Sequence, residues 1–441
     1  MPITRIRLRQ FKCFRDSRDI PLAPLTLIFG RNNTGKSSIV QSLLLLRQTL
    51  DSAGYGQRLD LRGDLYPAGS YLDIVHQHRL KEDVSMEFDV TFVGENEPAT
   101  IFLEFSSEEP QQPRLVQLRV VHPSVDPLEI RRSRGRGGPY ELFLGGKSHG
   151  LEKRANILFT FKRFFPLIGE EPPRRGRPTE KHDASRRVAA RALMALEESL
   201  RTMRAVGAFR RHPLRRYEYQ GRALEAIDAT GESVVDALID DMVRRGRKRG
   251  ELFHAVNRWL RTVGHVRLLP LKRISKSARI FELRMKDTDS GRWANFADVG
   301  FGIGQAFPVF VEGLRTPAGA TFIVQEPEIH LHPDAQLGMA DFLMALARSG
   351  RRVIAETHSD NLLLRIRRSL IPVNGRRALL SPSDVSVIYV KKDRDGASQA
   401  IPLEVDQLGQ IRNWPEGFME EATEERMAIL EGMAETRAEE G

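Results

Sequence analysis

The sequence predicts an α/β fold built on a parallel core sheet, and three observations predict it. Residues 25–29 form a short apolar run that enters Gly30-Arg31-Asn32-Asn33-Thr34-Gly35-Lys36-Ser37, and residues 37–50 continue with helical apolar spacing. Two further buried-strand patterns end in polar clusters: Gln325-Glu326-Pro327-Glu328 after residues 321–324, and Glu356-Thr357-His358-Ser359-Asp360 after residues 352–355. Strands apolar on both faces belong inside a parallel sheet, and open α/β sheets bind ligands at the carboxyl ends of such strands.

Composition narrows the class. A chain of 441 residues, 41% hydrophobic and 29% charged, is expected to fold into two or three globular domains. The sequence has no run of 18 apolar residues and no charged leader followed by an apolar stretch, so a cytoplasmic protein with no membrane contact is expected. The single cysteine, Cys13, excludes an internal disulfide and accords with a reducing compartment. A net charge of +10 suits a nucleic-acid partner, because Arg and Lys that neutralise phosphates release counterions; solvated surface charge accounts for it equally well. The charge is unevenly spread, with a basic run at Arg244, Arg245, Arg247, Lys248 and Arg249 and an acidic last stretch from Glu420 to Glu440.

Along the chain, residues 3–8 alternate apolar and basic as a half-buried strand does, and Phe11-Lys12-Cys13-Phe14 follows at a turn. Phe14 either stacks on a nucleotide base or helps close a hairpin core. After the loop 51–70 and the run 71–78, strand patterns at residues 84–93, 100–105, 115–121 and 140–144 predict an antiparallel β subdomain, with residues 131–138 as an exposed basic hairpin tip. Residues 169–187 lack an apolar period and read as a linker. Helices are predicted at 188–206, 233–245 and 251–263, so residues 150–265 are expected to form an inserted helical arm. Within it, residues 207–219 interleave arginine with aromatics, a pattern that serves phosphate and base contact or a structural loop. Strands return at 266–269 and 280–285, and residues 296–305 lead into an apolar helix at 306–314.

The pattern G-x-x-x-x-G-K-[ST] at residues 30–37 carries a mechanism. A glycine-rich turn aims backbone N–H groups at a β-phosphate, the next helix presents its positive end, Lys36 reaches β- and γ-oxygens, and Ser37 ligates magnesium. Glu326, Glu328, His330 and His332 lie within seven residues, which raises a second reading as a metal site, but no further ligand set completes a tetrahedron.

The order of these motifs resembles the ABC-type ATPases of the SMC, RecF and overcoming-lysogenization-defect group. It is more narrowly similar to prokaryotic AAA-family ATPases such as those of the Septu and PARIS anti-phage systems. Phe11 to Phe14, Gly30 to Ser37, Gly231-Glu232, Asp298 to Gln305, Glu326 to Pro333, Glu356 to Asp360 and Gly409 to Phe418 carry the resemblance, which spans nearly the whole chain. It implies an ABC-ATPase-like P-loop fold with ATP and Mg2+ as cofactors. Residues 1–149 would form the first part of the ATPase domain, 150–265 the arm, 266–405 the second part, and 406–441 an acidic tail. It makes Gly30, Arg31, Asn32, Asn33, Thr34, Gly35, Lys36, Ser37 and Ser38 the Walker A loop, with Phe14 beside the nucleotide. Glu326 becomes the catalytic carboxylate and His358 the switch histidine, acting with Lys36. Gly300, Gly302 and Gln305 fall in the signature loop that meets a partner's γ-phosphate, and His332 in the D-loop at a dimer seam. Ser37, Gln325 and Gln77 fall at the metal positions, Gln77 in the place of a Q-loop.

Two departures bear on the mechanism. Gln325 stands where most such engines carry an acid for magnesium, so slow hydrolysis is expected. Gly304 stands where relatives often carry Ser, which shifts phosphate binding to the backbone N–H groups of Gly300 and Gly302. One Walker A and one signature loop per chain imply a homodimer with two composite ATP sites. The expected function is an ATP-hydrolysing switch acting on DNA or another nucleic acid with a nuclease or other effector in antiviral defence, without a TOPRIM nuclease domain of its own. The alternatives are a weakly hydrolysing ATP-dependent scaffold and a RecF-like DNA-repair ATPase.

Overall fold

The structure is a computed structural model. It describes all residues except 1–2, 53–56, 107–112, 134–137, 152–158, 163–164, 169–179, 220, 222–228, 244–248, 276–278, 373–376, 416–417, 419–426 and 430–441. Six strands lie side by side in the order Arg204–Val206, Thr321–Gln325, Arg352–Glu356, Leu25–Gly30, Val385–Lys392 and Ser398–Leu403. All neighbours run parallel except the last pair, which is antiparallel and forms one edge.

Alternation along these strands divides their apolar side chains between two cores, because successive residues of a strand point to opposite faces. Ile28, Ile323, Ile354 and Ile388 enter one buried cluster, whereas Leu27, Phe29, Phe322, Val324, Val353, Ala355 and Val387 enter the other. The helices Val234–Val243, Glu251–Gly264, Phe301–Arg315, Pro333–Arg348 and Asp360–Ser369 contribute to the second cluster. The helices Lys36–Asp51 and Glu180–Arg201 contribute to the first, together with a second sheet.

That second sheet is an antiparallel sheet of nine strands. Its order is Lys147–Leu151, Tyr140–Leu144, Val125–Arg132, Arg114–His122, Ala99–Ser106, Val84–Val90, Ile3–Phe11 and Phe14–Asp16, with Ile20–Pro21 paired to Ile3–Phe11. The mixed α/β architecture with a parallel core and an antiparallel β subdomain is the one expected from the sequence.

Three stretches differ in detail. Residues 71–78, given no element from the sequence, form the short helix Tyr71–Ile74 and the turn His76–His78. Ser70 and Asp73 close a capping box that starts this helix. The described part of 150–265 packs into the body rather than standing off as an arm. Ala189, Ala192, Leu193, Leu196 and Leu200 of the helix Glu180–Arg201 are buried, and Arg204–Val206 is a strand of the parallel sheet. An apolar stripe at i, i+3, i+4 and i+7 from Ala189 drives that docking, and its helix begins at Glu180, inside the expected linker at 169–187, whose residues 169–179 lie outside the described residues. Most of the basic run at 244–249, the tip of the basic hairpin at 131–138 and most of the acidic tail also lie outside the described residues.

Candidate functional site

Three adjacent parallel strands, Thr321–Gln325, Arg352–Glu356 and Leu25–Gly30, bring their carboxyl ends to one edge. The chain leaves Leu25–Gly30 through exposed Arg31, Asn32 and Asn33 and enters the helix Lys36–Asp51 at Gly35. Gly35 has φ of 96°, and a Cβ there would overlap Cys13 Sγ, so both conformation and space demand glycine. Thr34 Oγ1 donates to the Arg31 carbonyl at 2.8 Å, and Ser398 Oγ donates to the Thr34 carbonyl at 2.6 Å, which ties the turn to the sheet edge.

Lys36 is buried, and its ammonium donates to the carbonyl oxygens of Gly30 at 2.9 Å and Arg31 at 3.1 Å. Burial lowers its pKa, against the opposing pull of the Glu356, Glu326 and Glu328 carboxylates. Ser37 Oγ donates to Glu356 Oε1 at 2.6 Å, and Gln325 Nε2 donates to Glu356 Oε2 at 2.6 Å. Glu326 follows with φ of 46°, and its N–H donates to the Glu356 carbonyl at 2.7 Å. A left-handed glutamate at a strand end is strained backbone of the kind that gathers at functional sites.

Glu328 turns inward. Its Oε1 accepts from Thr357 Oγ1 and from the His358 N–H, both at 2.7 Å, and burial raises its pKa. His332 caps the helix Pro333–Arg348 with its ring, and His330 lies against Phe301 at 4.4 Å between ring centroids. Glu328, His330 and His332 therefore point to different neighbours, and among the described residues no three such groups converge on one ion. His358 follows the Arg352–Glu356 strand on the surface with its pKa lowered, by partial desolvation first and by the Lys36 ammonium second.

The glycine-rich segment before the helix Phe301–Arg315 lies elsewhere. Gly300, Phe301, Gly302, His330, Leu331 and His332 line an open cavity of about 710 Å³. A Cβ on Gly302 would run into the His330 carbonyl oxygen, so glycine allows the first turn of the helix to touch the loop at His330. Gln305, expected to face a nucleotide, is instead buried with its amide directed at the Arg210 carbonyl at 3.5 Å. Phe14 is also corrected: it is 0% exposed inside the β core, so its ring offers no face to a base, and the hairpin-core alternative describes it. Gln77 is exposed in the turn His76–His78, beside the Phe11–Val75 bridge, and not at a carboxyl end of the parallel sheet.

Two residues at the site carry no assigned role in the sequence reading. Arg210, within the arginine-aromatic stretch, is 7% exposed; it donates to the carbonyls of Gly207, Gln305, Gln325 and Glu326 instead of meeting phosphate. Glu356 is 4% exposed and joins Ser37 to Gln325. The only sequence signal for Glu356 was an acid closing an apolar strand; for Arg210 there was none beyond its neighbourhood.

The profile of a family described as "AAA domain, putative AbiEii toxin, Type IV TA system" matches residues 25–365. The chain belongs to this AAA family. A second profile, described as a protein of unknown function (DUF3696), matches residues 380–429, after the AAA region. No curated relative matches the AAA chain. Among solved structures it is similar to the SMC head domain from Thermotoga maritima, at 14% identity and a TM-score of 0.41, over 92% of this chain and 100% of that one. It is also similar to an Smc head domain with an extended coiled coil, bound to the C-terminal domain of ScpA derived from Pyrococcus furiosus. That likeness has 13% identity and a TM-score of 0.41, over 98% and 99% of the two chains. Identities and scores this low leave the AAA fold to be argued from its strand order. Among the described residues, no helix is long and apolar enough to cross a membrane.

Proposed function

We propose that the chain binds and hydrolyses ATP and works as a dimeric switch. The observation that carries this reading is the meeting of Lys36, Ser37, Gln325, Glu326, Glu356 and His358 at the carboxyl ends of three adjacent parallel strands. The loop 30–38 offers backbone N–H groups and the positive end of a helix to a triphosphate, and the Lys36 ammonium exchanges loop carbonyls for β- and γ-oxygens. Glu326 orients the attacking water, and His358 contacts the γ-phosphate and responds to its loss.

The donor set at the strand ends, a hydroxyl and carboxylates, is hard oxygen chemistry that suits Mg2+, with Ser37 as a holding residue and Gln325 beside it, its NH2 turned to Glu356. When bound, the ion supplies positive charge to the phosphate oxygens.

Dimerisation is supported by the placement of Gly300 and Gly302 on an open cavity, with Phe301 and His332 exposed beside them. In this reading the signature loop of one copy covers the nucleotide of the other. Action on nucleic acid with an effector in antiviral defence rests on the net charge of +10 and on the motif resemblance. A slowly hydrolysing ATP-dependent scaffold is the second reading, favoured by the neutral side chain at Gln325.

Nucleotide binding, turnover and solution mass test these points together. Lys36→Ala is expected to lose ATP binding, and Glu326→Gln to keep binding while turnover falls about 100-fold or more and mass doubles with ATP. Wild-type protein that binds no ATP overturns the reading. Equal turnover in wild type and Glu326→Gln favours the scaffold, and an ATP-bound monomer rejects the composite site.

A further inference from the structure

Gln325 leaves a charge unaccounted for at the Mg2+ position, and the neighbouring strand carries one. In the parallel pair Thr321–Gln325 and Arg352–Glu356, Gln325 and Glu356 are register partners; on the other side Glu356 is paired with Ile28, two residues before Gly30. Glu356 thus sits between the strand that ends in Gln325 and the strand that feeds the phosphate loop.

Its two carboxylate oxygens are used separately. Oε1 accepts the Ser37 hydroxyl proton at 2.6 Å, and Oε2 accepts from the Gln325 amide at 2.6 Å. A carboxylate only accepts, so the Gln325 NH2 faces Glu356 and its carbonyl oxygen is turned away, toward the side on which Gly207 lies. Likewise, a Ser37 hydroxyl that gives its proton to Glu356 keeps its lone pairs free for a cation. Glu356 therefore orients the Ser37 hydroxyl as an oxygen donor and brings the negative charge that position 325 lacks, while its other oxygen holds the Gln325 amide in place. Outer partners of this kind fix ligand geometry and affect metal affinity strongly.

We propose that Glu356 is the acid of the Mg2+ site, so that the carboxylate expected at the end of the Thr321–Gln325 strand has moved one strand across. The proposal rests on the nucleotide reading above. It also removes the main ground for slow hydrolysis, since the site keeps its charge through Glu356 while the Gln325 amide is held beside it.

The test measures binding, not turnover. A fluorescent ATP analogue is titrated into wild type, Glu356→Gln and the double variant Gln325→Asp/Glu356→Gln, each with Mg2+ and with EDTA, and Mn2+ affinity in the presence of nucleotide is read by electron paramagnetic resonance. Glu356→Gln is expected to keep its EDTA affinity within about twofold but to lose roughly 10–100-fold in Mn2+ affinity and in the gain due to Mg2+. The double variant, which restores one acid on the neighbouring strand, is expected to regain most of that loss. A purely packing role for Glu356 predicts no such rescue. Full metal dependence in folded Glu356→Gln, or no rescue in the folded double variant, overturns the assignment while the ATP reading stands. Wild type that binds no nucleotide with or without metal overturns both. If Glu356→Gln fails to fold by thermal melting, the double variant decides alone, by regaining or lacking the metal-dependent gain.

Discussion

Arg210 Nη2 donates to the Gln325 carbonyl oxygen at 2.5 Å, which fastens the loop after the strand Arg204–Val206 to the end of the neighbouring strand. The same guanidinium reaches the Gln305 carbonyl through Nη1 at 3.0 Å, so one buried cation connects the strand end before Glu326 to the first turns of the helix Phe301–Arg315. Burial opposes its charge, and the Glu328 and Glu326 carboxylates favour it.

Arg210→Lys therefore retains a charge but loses the fork that serves several carbonyls at once. Hydrogen bonds to charged groups are worth about 1.5–3 kcal/mol each, and buried carbonyls left unpaired add to the loss, so destabilisation of roughly 2–4 kcal/mol is expected. Urea unfolding with an unchanged slope checks this, and a loss below about 1 kcal/mol contradicts a clamp role.

Gly35 tests the loop. At φ of 96°, alanine is strained by about 1–3 kcal/mol, and its Cβ would also overlap Cys13 Sγ. Gly35→Ala is expected to unfold at lower temperature and to lose nucleotide binding. Adding Cys13→Ala makes room without changing the dihedral demand, so the double variant is expected to recover part of the stability and little of the binding. A thermodynamic cycle over the two positions measures the steric share, and additive effects would show that the sulfur does not constrain the turn.

His358 supplies a pH prediction with a defined sign. Its folded pKa lies below the ordinary value of about 6.5, through partial desolvation and the nearby Lys36 ammonium. The unfolded chain then binds a proton that the folded chain resists, so this residue removes stability as pH falls below about 6.5 toward the folded pKa, and leaves it unaffected above 6.5. Titration of the ring by nuclear magnetic resonance is expected to show the depressed value, moved upward in Lys36→Ala. A ring that titrates at its ordinary value in wild type, or one that does not respond to Lys36→Ala, contradicts the arrangement.

The sequence by itself determined the parallel core, because residues 25–29, 321–324 and 352–355 are too short and too apolar for anything but strands covered on both faces. It also determined which strand ends carry polar groups, since the acids and His358 follow those runs directly. Period-2 alternation made most of the antiparallel sheet legible, but Val125–Arg132 and Lys147–Leu151 escaped it, because charged and glycine positions dilute their pattern.

Tertiary structure alone decided which of the candidate groups meet. Phe14 and Gln305 are polar-site candidates by position, yet packing on both sides of their elements buries them. Glu356 is one residue among several acids in the sequence, and only the register Gln325 to Glu356 makes it the partner of Gln325, while only the turn at Gly35 brings Ser37 to its other oxygen. The place of the Leu25–Gly30 strand is set by long-range pairing with segments more than 320 residues away, which no local spacing encodes. The phosphate loop was readable because its chemistry lies in consecutive residues, and the charge beside it was not, because that charge comes from another strand.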